Sequence, residues 1–349
     1  MTSISIVVAS RLNTVFLKRL LASLEIQSFK KFEVLICATG SRQDQLASIR
    51  SLSPILNLRL IATPKPGIAS ARNQGIQKAL GNLVLFLDED CFLPRRDYLK
   101  ELAQFHLEHP NFAAGGLYLN DFDSQQSDRF YNFVCNAWVA SHQNIKNSPP
   151  VLLGGCCFYP LQLLRQHQIL FDELNPRAGE EYLLNSLWTQ RGLPLLLSSQ
   201  WSVVHRPDTP FYQIFKKSWT QGAQRSPQKL NIQVDQVKKG LRYLRTERDA
   251  KLIYLPMLGL YGAIGRASFL TKFAAKYCSR TKRQKHKKHV LPPFVEKSVS
   301  KDVLMDDVKN KTGRKLNKKK VPLKISTLKN TQLIEKLAKT KPEESLYKT

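Results

Sequence analysis

Asp88 and Asp90, one residue apart in Asp88-Glu89-Asp90, follow the apolar run Leu83-Val84-Leu85-Phe86-Leu87 without a break. Carboxylates at the first and third positions of a tight turn can hold a hard divalent ion, and Mn²⁺ or Mg²⁺ held this way commonly carries phosphate oxygens on its remaining positions. The chemistry expected of such a turn is the handling of a metal-bound diphosphate. The same residues also suit an acidic cap on a strand, so their surroundings must decide. Three further features could do chemistry. Gly179-Glu180-Glu181 opens a helical pattern, Gly154-Gly155 interrupts an apolar stretch where glycine marks close approach of a ligand or backbone, and His205 ends a short apolar strand.

The elements that must position these residues are legible. Five apolar residues between Gly81-Asn82 and the acids read as a buried strand whose carboxyl end, where open α/β sheets bind ligands, carries the carboxylates. Ile4 to Val8, Phe32 to Ile36 and Arg59 to Ala62 read as further strands. Between them lie Leu17, Leu20, Leu21 and Leu24 at helical spacing, a polar helical stretch from Gln43 to Leu52, and a helix from Ala69 to Leu80 after Pro64-Lys65-Pro66-Gly67. Repeated βαβ units predict an α/β fold with a mainly parallel central sheet and helices on both faces. Past Pro110 the expected order is a strand over Asn111 to Leu119, a partly helical connection from Ser124 to Ser148, and a strand from Val151 to Tyr159. A helix from Glu180 to Arg191, capped at Gly192, and strands at Leu193 to Leu197 and Trp201 to Val204 complete it.

With 349 residues, 42% of them hydrophobic, the chain can bury a large core, which excludes a small disulfide-stapled scaffold. Six cysteines show no C-x-x-C spacing and the Met1 end runs into an apolar strand without a basic leader, so a reducing, cytoplasmic setting is expected. Adjacent Cys156 and Cys157 are expected on opposite faces of one strand. The net charge of +27 is concentrated in the tail: Thr271 to Thr349 holds 23 Lys and Arg against 7 Asp and Glu. From Arg280 onward low hydrophobicity and like charge predict disorder. Before it, Leu252 to Gly265 is apolar but broken by Pro256 and glycines, short of the roughly 20 residues that span a bilayer. It suits an interfacial helix beside the basic stretch Arg280 to Lys288, with an anionic membrane surface as partner, or equally a buried helix pair.

Lys65-Pro66-Gly67-Ile68-Ala69-Ser70-Ala71-Arg72-Asn73-Gln74-Gly75, then Ala79-Leu80-Gly81-Asn82, then Leu85-Phe86-Leu87-Asp88-Glu89-Asp90 resembles the signature of family-2 glycosyltransferases of GT-A fold. Ile6-Val7-Val8 and Ser23-Leu24-Glu25-Ile26-Gln27-Ser28 are similar to that family's opening strand and helix end, and the resemblance covers roughly residues 2 to 225. It implies an enzyme moving sugar from a nucleotide-sugar donor, with inversion, to a glycan or lipid-linked acceptor. Ser10, Thr39, Arg72, Asn73 and Asp88 then belong to the donor side, and Asp90 and His205 hold Mn²⁺ or Mg²⁺. Glu181 is the base, and Glu180 and Gly155 face the acceptor. Residues 1–110 form the nucleotide-sugar half and 111–235 the acceptor half of one domain, 236–279 a helical, membrane-interfacial segment and 280–349 the basic tail. Two departures stand out. Ala38-Thr39-Gly40-Ser41 replaces the family's DDGS, leaving the base open, and no Q-x-x-R-W of processive synthases is present, which favours single transfers. The competing reading is a non-catalytic protein using its lysine-rich tail on nucleic acid or another acidic surface; without a base-reading module, it would bind regardless of sequence.

Overall fold

The computed structural model describes residues 2–39, 48–63, 65–142, 150–174 and 180–222, together with 254, 256–257, 259–268 and 270–271. The expected helix over Gln43 to Leu52 lies largely outside these residues, as does the tail 280–349.

Seven strands form one sheet: β1 (Ile4–Ser10), β2 (Phe32–Thr39), β3 (Leu58–Thr63), β4 (Leu83–Asp88), β6 (Ala113–Gly115), β8 (Cys156–Pro160) and β9 (Leu195–Leu197). Their order across the sheet is β3-β2-β1-β4-β8-β6-β9. β1, β2, β3 and β4 run parallel, while β8 lies antiparallel between β4 and β6. Strand residues alternate between two cores, which explains the unbroken apolar runs. Ile4, Ile6, Val8, Leu83, Leu85 and Leu87 face one core with α1 (Thr14–Glu25) and α3 (Tyr98–Glu108), whereas Val7, Val84 and Phe86 face the other with α2 (Ile68–Lys78) and α6 (Glu180–Gln190). Cys156 and Cys157 divide between the two cores as expected. On α1, Leu17, Leu20, Leu21 and Leu24 are buried at helical spacing, and the Asn13 carboxamide oxygen caps the helix by accepting from the amides of Val15 and Phe16.

The chain reverses its winding at β1: β2 and β3 lie on one side and β4 on the other. Register pairs Ser10 with Ala38 and Ala9 with Asp88, so three strand ends open together at this switch point. A Cβ on Gly75 would collide with the Val7 side chain, so glycine there lets α2 lie close on β1.

The second half departs from expectation in two places. The strand expected over Asn111 to Leu119 is split into β6 and β7 (Tyr118–Leu119), and β7 belongs to a small second sheet with β5 (Cys91–Phe92) and β10 (Val203–His205), in the order β5-β10-β7. The strand expected from Val151 shortens to β8, because Gly154 and Gly155 turn against the side chains of Arg72 and Asp88. The connection 124–148 contains α4 (Gln126–His142), and α5 (Leu161–Gln166) follows β8. α7 (Phe211–Gly222) and the helical residues within 254–271, termed α8, pack on α4 through a third apolar cluster of Phe130, Val134, Ile214 and Tyr254.

Candidate active site

Asp88, Glu89 and Asp90 leave β4 at the switch point and turn three ways. Asp88 points back toward α2, where its Oδ1 lies 2.7 Å from Arg72 Nη2, and its Oδ2 accepts from the Tyr118 hydroxyl at 3.2 Å. Glu89, to which the motif assigns no role, points into the β1–α1 loop. One of its oxygens accepts from Ser10 Oγ at 2.6 Å and from the amides of Arg11 and Asn13, each at 3.2 Å. Glu89 thereby fixes the loop that follows the first strand, and burial pushes its carboxyl above the ordinary range despite those donors.

Arg72 is 2% exposed, and it uses both terminal nitrogens on carboxylates: Nη2 on Asp88 and Nη1 on Glu180 Oε1, each at 2.7 Å. Phe171 covers the guanidinium at 5.2 Å. Burial alone would disfavour its charge, but Asp88, Glu180 and Glu181 together move its pKa upward. Gly154 and Gly155 make room for this arrangement, since a Cβ at Gly154 would collide with the Arg72 guanidinium and one at Gly155 with the Asp88 carboxylate. The expected diphosphate-side arginine is therefore enclosed behind the acidic rim, tying β4 to α6.

Asp90 points toward the second sheet. Antiparallel pairing of β10 with β5 sets His205 opposite Cys91, and the Arg206 amide donates to the Asp90 carbonyl at 2.9 Å. His205 Nε2 lies 3.4 Å from Asp90 Oδ1, a buried oxygen that accepts no hydrogen bond. Asn132 Nδ2 donates to the His205 carbonyl at 2.9 Å and to Asn120 Oδ1 at 3.0 Å, so its oxygen is left to accept from His205 Nδ1. With Nδ1 occupied, Nε2 faces Asp90 as a proton donor when the ring is charged or as a lone pair for a cation. Tyr118 stacks on the imidazole with ring centres 4.0 Å apart. Burial works to raise the Asp90 carboxyl, but His205 and Lys217 outweigh it and hold it below the ordinary range. Cys91 places its sulfur in the same cluster, all three ligand atoms lying within 4.8 Å of one another. An unpartnered carboxylate oxygen facing an oriented imidazole fits a divalent metal.

Glu181 stands half-buried at the first turn of α6. Burial, followed by the adjacent Glu180 charge, pushes its carboxyl up to about 8. A cation that sequence reasoning missed is Lys217 on α7, whose Nζ lies 4.3 Å over the Tyr131 ring and whose charge reaches Asp90. No motif marks it; its only sequence signal is an inward position beside Ile214 and Ser218 at helical spacing.

The structure thus gathers Asp88, Arg72, Glu180 and Gly155 in one cluster and Asp90 and His205 in a second beside it, with Glu181 next to Glu180, and three of the expected site residues also have structural partners. Glu180, expected on the acceptor, is 5% exposed and spent on Arg72. Asn73, expected on the donor, is 3% exposed; it donates to the Phe171 carbonyl and Glu173 and accepts from the Phe171 amide, pinning that segment. Gly155 serves the space Asp88 needs. Ser10 is buried at the loop, donating to Glu89 and accepting from the Leu12 amide. Thr39 ends β2 opposite Thr63, and residues 40–47, where the base-reading site was expected, lie outside the described residues.

A doubly wound sheet with an acidic rim at its switch point, faced by a histidine from a small second sheet, is the arrangement expected of a GT-A glycosyltransferase. Residues 5–166, a little under half of the chain, match the family model for glycosyl transferase family 2. Among solved structures it is similar to the mannosyltransferase PcManGT from Pyrobaculum calidifontis in complex with GDP-Man and Mn²⁺, at 16% identity, over 80% of this chain and 75% of that chain, with a TM-score of 0.47. It is also similar to S. aureus TarS 1-349 in complex with UDP-GlcNAc, at 18% identity, over 78% of this chain and 81% of that chain, TM-score 0.46. No curated protein matches the sequence.

Proposed function

We propose that this glycosyltransferase moves a single sugar, with inversion, from a nucleoside-diphosphate sugar to the hydroxyl of a glycan or lipid-linked acceptor at the cytoplasmic side. The observation that carries the metal-dependent reading is the buried Asp90 Oδ1 without a hydrogen bond, 3.4 Å from His205 Nε2. Asp90 and His205 would hold Mn²⁺ or Mg²⁺, which supplies positive charge to a diphosphate leaving group. Asp88, fixed by Arg72 and Tyr118, lies at the mouth of the same rim and faces the donor's ribose or a metal-bound water. Lys217 adds a positive charge that Arg72, enclosed between two carboxylates, is not free to provide. Glu181 takes the proton from the acceptor hydroxyl as that oxygen attacks, and a carboxyl tuned near neutral pH suits a general base. A single base on the acceptor face, with in-line displacement, gives inversion.

Calorimetry with a panel of nucleotide sugars, with and without Mn²⁺, tests this reading. One donor should bind in a Mn²⁺-dependent manner, and Asp90→Asn should lose that dependence. Absence of heat with every donor, together with salt-sensitive RNA binding, would favour the non-catalytic alternative.

A further inference from the structure

We propose that the outward faces of α7 and α8 form a docking surface for an anionic lipid membrane. The inward face of α8 is accounted for: Tyr254, Met257 and Tyr261 join the cluster around Phe130 and Ile214. The Tyr254 hydroxyl donates to Gln126 Oε1 at 2.7 Å, and Ser218 Oγ donates to the Tyr261 carbonyl at 2.6 Å. Among the described residues the opposite face has no such cover. Its exposed residues include Pro256, Gly259, Leu260, Ala263, Ala267 and Leu270, a stripe at helical spacing without a charge. Leu260 is 53% exposed and Leu270 58%. On α7 the exposed face carries Tyr212, Lys216 and Trp219 at four- and three-residue steps, an aromatic and basic combination. Such amphipathic aromatics suit the boundary between headgroups and acyl chains.

Charge selects the occupant. Immediately beyond α8 the sequence supplies Lys272 and Lys276, then six Lys or Arg and no acid between Arg280 and Lys288. Basic residues next to an apolar helix face are drawn to anionic headgroups, about 1 kcal/mol for each near the surface. A second copy of this chain is a poor occupant, because each carries a net charge of +27. Nucleic acid would answer the lysines but not the uncharged stripe. No helix among the described residues is long and apolar enough to cross a membrane. The surface therefore lies on the bilayer rather than through it.

Docking would bring the cleft close to the bilayer, since α4, on which both helices pack, carries Tyr131 with its ring 5.9 Å from that of His205. A lipid-linked acceptor then follows; this consequence rests on the proposed transferase reading, whereas the docking does not.

The test is flotation of the full chain with phosphatidylcholine vesicles, with and without phosphatidylglycerol. Binding should require phosphatidylglycerol and weaken with salt. The double variant Leu260→Glu/Leu270→Glu should partition about tenfold or more less strongly, because two apolar side chains are replaced by charges, while its melting temperature is retained. Independently of that variant, brominated phosphatidylglycerol vesicles should quench tryptophan fluorescence of the unmodified chain, and Trp219→Phe should remove the quenching. The proposal is overturned if the double variant floats like the parent, if Trp219 is not quenched, or if the parent floats with neither vesicle. A dimer in solution that these substitutions dissolve, without vesicle binding, would likewise overturn it.

Discussion

Glu181 should control the acid side of the activity profile. Its carboxyl sits at about 8, against an ordinary 4.5, because burial disfavours the charge and the neighbouring Glu180 repels it. A base must be ionised to accept a proton, so kcat/KM, which reports the free enzyme, should rise with unit slope and level off above about pH 8. At pH 7 about a tenth of the molecules hold the ionised base, so raising the pH from 6 to 7 should increase kcat/KM roughly tenfold. Release of nucleoside diphosphate across pH 5.5 to 9.5, at saturating Mn²⁺, measures this directly. Glu181→Gln should be inactive throughout. Stability carries the same signature: the folded pKa lies above the unfolded one, so the protonated carboxyl's contribution is complete below about 4.5 and is lost as the pH rises through about 8. Stability therefore declines as the pH rises across that window. The melting temperature of the parent should thus fall over that window relative to Glu181→Gln. A flat kcat/KM between pH 6 and 9, or residual Glu181→Gln activity with the same acid limb, would refute the assignment.

Arg72→Met should destabilise the fold by about 3–5 kcal/mol in urea titrations, because it leaves the Asp88 and Glu180 carboxylates without their shared cation, and a measured cost under about 1 kcal/mol would contradict the bridging role. Gly155→Ala should abolish transfer and also lower the melting temperature, since its Cβ would collide with the Asp88 carboxylate and displace that acid from the rim and from buried Arg72. Lys217→Ala should lower kcat about tenfold or more while Lys217→Arg retains most activity, if the charge over Tyr131 faces the leaving group; equal turnover in all three would exclude it.

The first half was legible because burial on both sheet faces writes itself as unbroken apolar runs, and the acids sit where one such run stops. The runs Ile4 to Val8 and Leu83 to Leu87 needed no tertiary information, and the structure extends the two strands to Ser10 and Asp88. The second half was less so. Val151 to Tyr159 has strand composition, yet Gly154 and Gly155 turn where they meet the Arg72 guanidinium and the Asp88 carboxylate, groups from distant parts of the chain that local pattern does not encode. Asn111 to Leu119 reads as one strand although its two ends serve different sheets. Site positions divided similarly: the place of Asp88 and Asp90 at a strand end followed from spacing, whereas the partners of Glu89, Asn73 and Glu180 depend on which side chains the fold brings opposite them. Lys217 and Asn132 lie on helices with no marking motif, and became visible only through what they face.

The Asp88–Arg72–Glu180 bridge has an implication for swapping acceptor preferences among relatives. One guanidinium joins the strand that ends in the acidic rim to the helix that carries the proposed base, so the two cannot be re-aimed separately. A chimera that imports a foreign helix in place of Glu180–Gln190 would need to bring a carboxylate for that arginine, or inherit a base whose height above the rim is no longer set. Recombination boundaries drawn between the halves of this protein therefore cut through a shared hinge pin, and successful hybrids should be those that exchange the three residues as a set.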